Sequence, residues 1–159
     1  MNLSDLPKHA RVWIYQADRV LSNAEQEEIS VFLNRFVTDW AAHGQALAAG
    51  FAIEKDRFIV LAVDENQAAA SGCSIDSSVA AIKEIGNKFG IDFFNRQLVA
   101  YLEGDEILVR QLHDFWALRK AGVINDETVV FNNLVKNIDE FNTSWILPFG
   151  KSWHAEMFR

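Results

Sequence analysis

The residues best able to do chemistry gather at Ser71-Gly72-Cys73-Ser74-Ile75-Asp76, where the only cysteine of the chain sits among hydroxyls. The segment leads into a helix predicted over about 76–89, so free backbone N–H groups and the positive helix end meet there. A thiol so placed is favoured as the thiolate. Ser71, Ser74, Ser77 and Ser78 add hydroxyl donors that could hold an oxyanion or a phosphate. An ordinary helix start uses the same residues: Ser74 or Asp76 caps, Gly72 turns, and Cys73 becomes a small, partly buried hydrophobe. As a nucleophile Cys73 would need a base within hydrogen-bond reach. His43, His113 and His154 are the candidates, and spacing does not choose among them. His43 also reads as a last-turn residue of the first long helix, beside its negative end.

Other motifs carry less. Gly150-Lys151-Ser152 is the end of a phosphate loop, but the glycine due five residues earlier is Trp145, so ATP hydrolysis is not expected. His113-Asp114 is one pair on an amphipathic stretch. There is no CxxC, HExxH or calcium-loop pattern, so no metal and no cofactor is expected. Asn132-Asn133 can orient a ligand through amide hydrogen bonds or close a turn through their own backbone. With Trp153, they extend the candidate binding set Ser71, Gly72, Cys73, Ser74 and Asp76.

These residues need elements to hold them. The chain has 159 residues, half of them hydrophobic, with a net charge of −7. Such a chain builds one domain, residues 1–159, with a core that needs no staples. The acidic balance argues against nucleic acid and anionic membrane surfaces, and no apolar run approaches the length of a membrane span. One cysteine leaves no intrachain disulfide, and the first residues lack an export signal, so a cytoplasmic location is expected.

Arg11–Gln16 reads as a strand. Ser22 with Glu25 forms a capping box for a helix whose stripe is Ile29, Phe32, Leu33, Phe36, Val37 and Trp40, stopped at His43-Gly44. Ala46–Glu54 and Arg57–Val63 form a hairpin around Lys55-Asp56, the second strand being central. A helix with Val79, Ile82, Ile85 and Phe89 inward ends at Gly90, and a strand follows over 97–102. That order, strand-helix-strand-strand-helix-strand, predicts an α+β fold: a ferredoxin-like split β-α-β antiparallel sheet with helices on one face. Gly104-Asp105 is read as opening a third helix, with Leu108, Leu112, Phe115 and Trp116 inward. A short strand at 128–131, a helical turn near 138–141 and an aromatic tail complete the chain. Trp145, Phe149, Trp153 and Phe158 predict that this tail packs back on the domain.

The segments SGCSID (71–76), IDFFNR (91–96), FNNLV (131–135) and SWH (152–154) resemble an uncharacterised family of small bacterial proteins, sometimes labelled ABC transporter ATPases. The resemblance implies a cytoplasmic bacterial protein without established catalytic residues. The ATPase label conflicts with the incomplete phosphate loop and the missing LSGGQ signature. The leading expectation is a non-catalytic domain that binds a small anionic ligand or a protein partner at residues 71–76, walled by the aromatic tail. The alternative is a thiol enzyme or redox-responsive protein using Cys73 with His43 or His154. A homodimer formed across an exposed sheet edge or face is a third expectation.

Overall fold

The computed structural model describes residues 2–66 and 68–157. Its strands are β1 (Arg11–Gln16), β2 (Ala41–Ala42), β3 (Gln45–Ala46), β4 (Ala48–Glu54), β5 (Phe58–Asp64), β6 (Leu98–Glu103), β7 (Glu106–Gln111), β8 (Val129–Phe131) and β9 (Ile146–Pro148). The helices are α1 (Asn23–Asp39), α2 (Gly72–Phe89), α3 (Leu112–Lys120), α4 (Ile138–Ser144) and α5 (Trp153–Met157). The fold is mixed α+β and its sheets are antiparallel.

β5 organises the first half. It lies between β1 and β4, and every residue from Phe58 to Val63 is fully buried. An uninterrupted apolar run suits such a strand because both faces are covered. Ile59, Leu61 and Val63 meet Ile29, Leu33 and Val37 of α1 and Ile82 and Ile85 of α2. Phe58, Val60 and Ala62 point the other way, toward Phe131, Val135, Ile138 and Trp145. α1 starts as read: Ser22 Oγ accepts from the Glu25 N–H, and the Glu25 carboxylate accepts from the Ser22 N–H. Arg19 clamps that carboxylate with two bonds of 2.8 and 2.7 Å and lowers its pKa to about 2.

The order β1-β5-β4 is that of the first three strands of a split β-α-β sheet. The fourth departs from the expected arrangement, because β6 hydrogen-bonds to β7 and β8 in a separate sheet ordered β7-β6-β8-β9. The face opposite α1 and α2, which a lone sheet would leave open, is covered by the second half. A third cluster, with Val99, Tyr101, Phe115 and Phe149, closes the second sheet against α3 and the tail.

Three local expectations need correction. α1 ends at Asp39, so His43 is not a helix-end residue. His43 and Gly44, at φ 51 and 78, form the two-residue turn between β2 and β3, the left-handed pair that a tight hairpin requires. Gly104-Asp105 does not open a helix either: with Gly104 at φ 62 it turns β6 into β7. Ile107 and Val109 are β-branched and extend readily, and the helix begins only at Leu112. Trp116 consequently lies 42 % exposed, under the Lys120 ammonium at 3.7 Å, rather than inward. The tail does pack back: Trp145 and Phe149 are buried, while Phe158 lies outside the described residues.

Candidate functional site

α2 begins at Gly72, four residues earlier than expected, with Ser71 as its cap. Ser71 Oγ accepts from the Ser74 N–H at 3.1 Å, and the Ser71 N–H donates to Ser74 Oγ at 2.7 Å. The Ser74 hydroxyl donates to the Ser71 carbonyl, Ser77 to that of Cys73, and Ser78 to that of Ile75. All four hydroxyls expected to face an anion are thus engaged at the helix start, Ser71 as an acceptor and the other three as donors. Ser74 is also buried. Asp76 and Cys73 are exposed, which corrects the expected partial burial of the thiol. No imidazole lies within hydrogen-bonding reach of its sulfur among the described residues. His43 is in the β2–β3 turn, His113 is exposed on α3, and His154 is buried on α5.

Asn133, Trp153 and His154 come together instead along a cleft of about 1180 Å³ between β1 and the first half of β6. Ile75 and Val79 of α2, residues 93–96, the segment after β8, and Trp153-His154 complete its walls. Residues of the segments 71–76, 91–96, 131–135 and 152–154 all contribute to it. α2 therefore serves the cleft through an apolar flank rather than through its capped end.

The fold fixes the polarity of one wall. Trp145 Nε1–H can only donate, and it donates to Asn133 Oδ1 at 3.0 Å. Asn133 must then present its amino group to Gln16, and Asn133 Nδ2 donates to Gln16 Oε1 at 2.9 Å. This leaves the Gln16 amide nitrogen buried without a partner among the described residues. Trp153 Nε1–H, also on a cleft residue, is a second buried donor without an acceptor among the described residues. Asn133 is thus a positioning residue, whereas Asn132 closes a turn by accepting the Leu134 N–H.

Charge and titration add to this. The cleft is lined by Arg11, Arg96 and Lys136 against one carboxylate, Glu65, on a chain that is acidic overall. Arg11 is drawn to Glu65 at 3.8 Å and lies over Trp13. Arg96 and Lys136 are exposed on the rim, and their side chains meet no acceptor among the described residues. His9 Nε2 contacts Asp64 at 3.3 Å. Tyr15 is buried beside Ser78, and desolvation raises its pKa while the Ser78 hydroxyl opposes the rise. Burial lowers the His154 pKa to about 4, so its ring is neutral at pH 7.

Sequence reasoning named Asn133, Trp153 and His154, and missed Gln16, Arg96, Lys136 and His9. Gln16 carried a signal: it is a polar residue ending an otherwise apolar run, and it is half-buried. No group of three or more metal-ligating side chains assembles among the described residues, and no helix there is long and apolar enough to cross a membrane. Comparison with protein-family models, curated proteins and solved structures finds no match to this chain. The chain's own geometry gives an α+β domain with a concave cleft between β1 and β6.

Proposed function

We propose that this chain is a non-catalytic binding domain for a small anionic ligand, held in the cleft between β1 and β6 rather than on the α2 N-terminus. One observation carries the reading: two buried N–H donors, on Gln16 and Trp153, lack acceptors among the described residues, and both residues line this cleft. A buried donor left unsatisfied costs about 1–3 kcal/mol, which an oxyanion supplied from outside would recover. Arg96 and Lys136 favour negative charge at the entrance, while Trp13, Phe94 and Trp153 offer apolar walls for the ligand's body. Few polar groups in a largely apolar concavity is the usual composition of a small-molecule site. A cytoplasmic bacterial setting and a relation to a ferredoxin-like sheet belong to the same proposal and rest on the resemblance and on the order β1-β5-β4.

The test is thermal stabilisation of the wild-type chain by acetate, phenylacetate and inorganic phosphate at millimolar concentration. A ligand that binds only the folded state raises the melting temperature with its concentration. At least one of these anions should do so, and Trp153→Phe and Arg96→Ala should each weaken the response. No stabilisation by any of them, or an undiminished response in both variants, would remove the cleft from consideration.

A further inference from the structure

Two residues of the tail go beyond anion binding. The Ser152 hydroxyl has one proton and donates it to the Phe149 carbonyl at 2.7 Å. Toward His154 it can therefore act only as an acceptor. His154 Nδ1, 3.1 Å from Ser152 Oγ, must carry the ring proton. In a neutral imidazole this leaves Nε2 as a bare lone pair. The ring is held in place: it is 2 % exposed, stacked on Trp153 at 3.9 Å and tilted against Phe115 at 6.2 Å. Nε2 has no partner among the described residues, and His154 lines the cleft beside Trp153. Consecutive residues thus bring one unpaired donor and one unpaired acceptor to the same wall.

A plain carboxylate satisfies only half of this wall. Its oxygens can take the indole N–H, but against Nε2 they set lone pair against lone pair. A ligand with a hydroxyl or N–H beside its carboxylate satisfies both. We propose that the cleft selects carboxylates bearing an adjacent hydrogen-bond donor, 2-hydroxy acids being the simplest class, and that His154 Nε2 accepts that donor. The proposal rests on the anion-binding reading and specifies its ligand. A site built around a ligand's donor group discriminates strongly against the analogue that lacks it, because its own polar atom is then left unpaired.

Phenylacetate and mandelate differ by one hydroxyl and share a phenyl body suited to the aromatic walls. Calorimetric titration of the full chain should show mandelate binding roughly tenfold or more tightly, the equivalent of one hydrogen bond. His154→Phe keeps the stacked ring and removes the acceptor, so the ratio of mandelate to phenylacetate affinity should fall from about tenfold to near one. In the wild-type chain, the ¹⁵N resonance of His154 Nε2 should be that of an unprotonated nitrogen. It should move with mandelate and stay in place with phenylacetate, a reading that does not depend on the variant folding. Equal affinities, a preference that survives His154→Phe, or an Nε2 resonance indifferent to mandelate would overturn the proposal while phenylacetate binding kept the anion reading intact. Failure of both ligands to bind would overturn the two together.

Discussion

The two large sheets meet the same physical requirement in different ways. β1-β5-β4 is built around one strand that is apolar on both faces, and two long capped helices close one side of it. β7-β6-β8-β9 joins two six-residue strands to two of three residues and relies on tight turns and single large aromatics, with helices of nine residues or fewer. The first half closes one large cluster against its two long helices, while the second closes a smaller one against short elements. The cleft lies where the two halves adjoin, so each of its walls belongs to a different kind of scaffold. This difference suggests where the molecule will yield first, and the aromatic contacts supply the means to test it.

The largest effect is expected at Phe58, which stacks on Phe131 at 5.0 Å and meets Trp145 edge-on at 5.0 Å. Phe58→Ala should cost about 3–5 kcal/mol and lower hydrogen-exchange protection in both sheets together. Phe115→Ala should cost a similar amount but loosen only β6–β9 and α5, because Phe115 packs within the third cluster. Protection lost equally everywhere in both variants would show that the two halves do not differ in this way.

Acid comes next. The folded state holds His154 near pKa 4, below its ordinary 6.5, so the unfolded chain binds the proton more readily. The stability contributed by the neutral ring is complete above pH 6.5 and declines as pH falls toward 4. The loss is on the order of 3 kcal/mol across that range. Denaturation followed between pH 7 and 4 should show this slope, and His154→Phe should flatten it. An unchanged slope in that variant would mean that His154 is not buried as a neutral base.

Gly86 offers a sharper local test in α2. A Cβ there would lie 2.5 Å from the Ile91 carbonyl oxygen. Gly86→Ala should destabilise by about 1–3 kcal/mol through this overlap, against the usual gain of a helical alanine. A stabilised variant in chemical denaturation would show that the turn after α2 can give way.

Much of the first half could be read from the sequence because its signals are long. The apolar run of β5, the α1 stripe and the Ser22–Glu25 box each involve several residues that agree. The second half was harder, since Gly104-Asp105 suits a turn as well as a helix start. Leu108, Leu112 and Phe115 then imitate a helical stripe across a strand that alternates Ile107 and Val109 with Leu108. At the site, Ser71 to Asp76 attracted notice through residue type, yet hydroxyls at a helix start are readily consumed by its own backbone. Gln16 was missed because its importance comes from a chain of bonds through Asn133 to Trp145, across more than a hundred residues. Spacing cannot show such a chain.

The smallest expected loss is at the helix caps. Ser22→Ala and Ser71→Ala should each cost about 1 kcal/mol. The Ser71 change should leave anion binding unaltered, since the cleft uses the flank of α2 and not its end. Weakened binding of phenylacetate in Ser71→Ala would return the site to the helix terminus.

The most direct test of the cleft is the Trp153 indole proton. The five tryptophans of the chain give five side-chain N–H signals in a ¹H–¹⁵N correlation spectrum, and Trp153→Phe identifies one of them. As phenylacetate or mandelate is added, the Trp153 signal should move downfield and saturate with the calorimetric affinity, while that of exposed Trp116 stays fixed. An indole signal from Trp153 that does not move at saturating ligand would contradict the account.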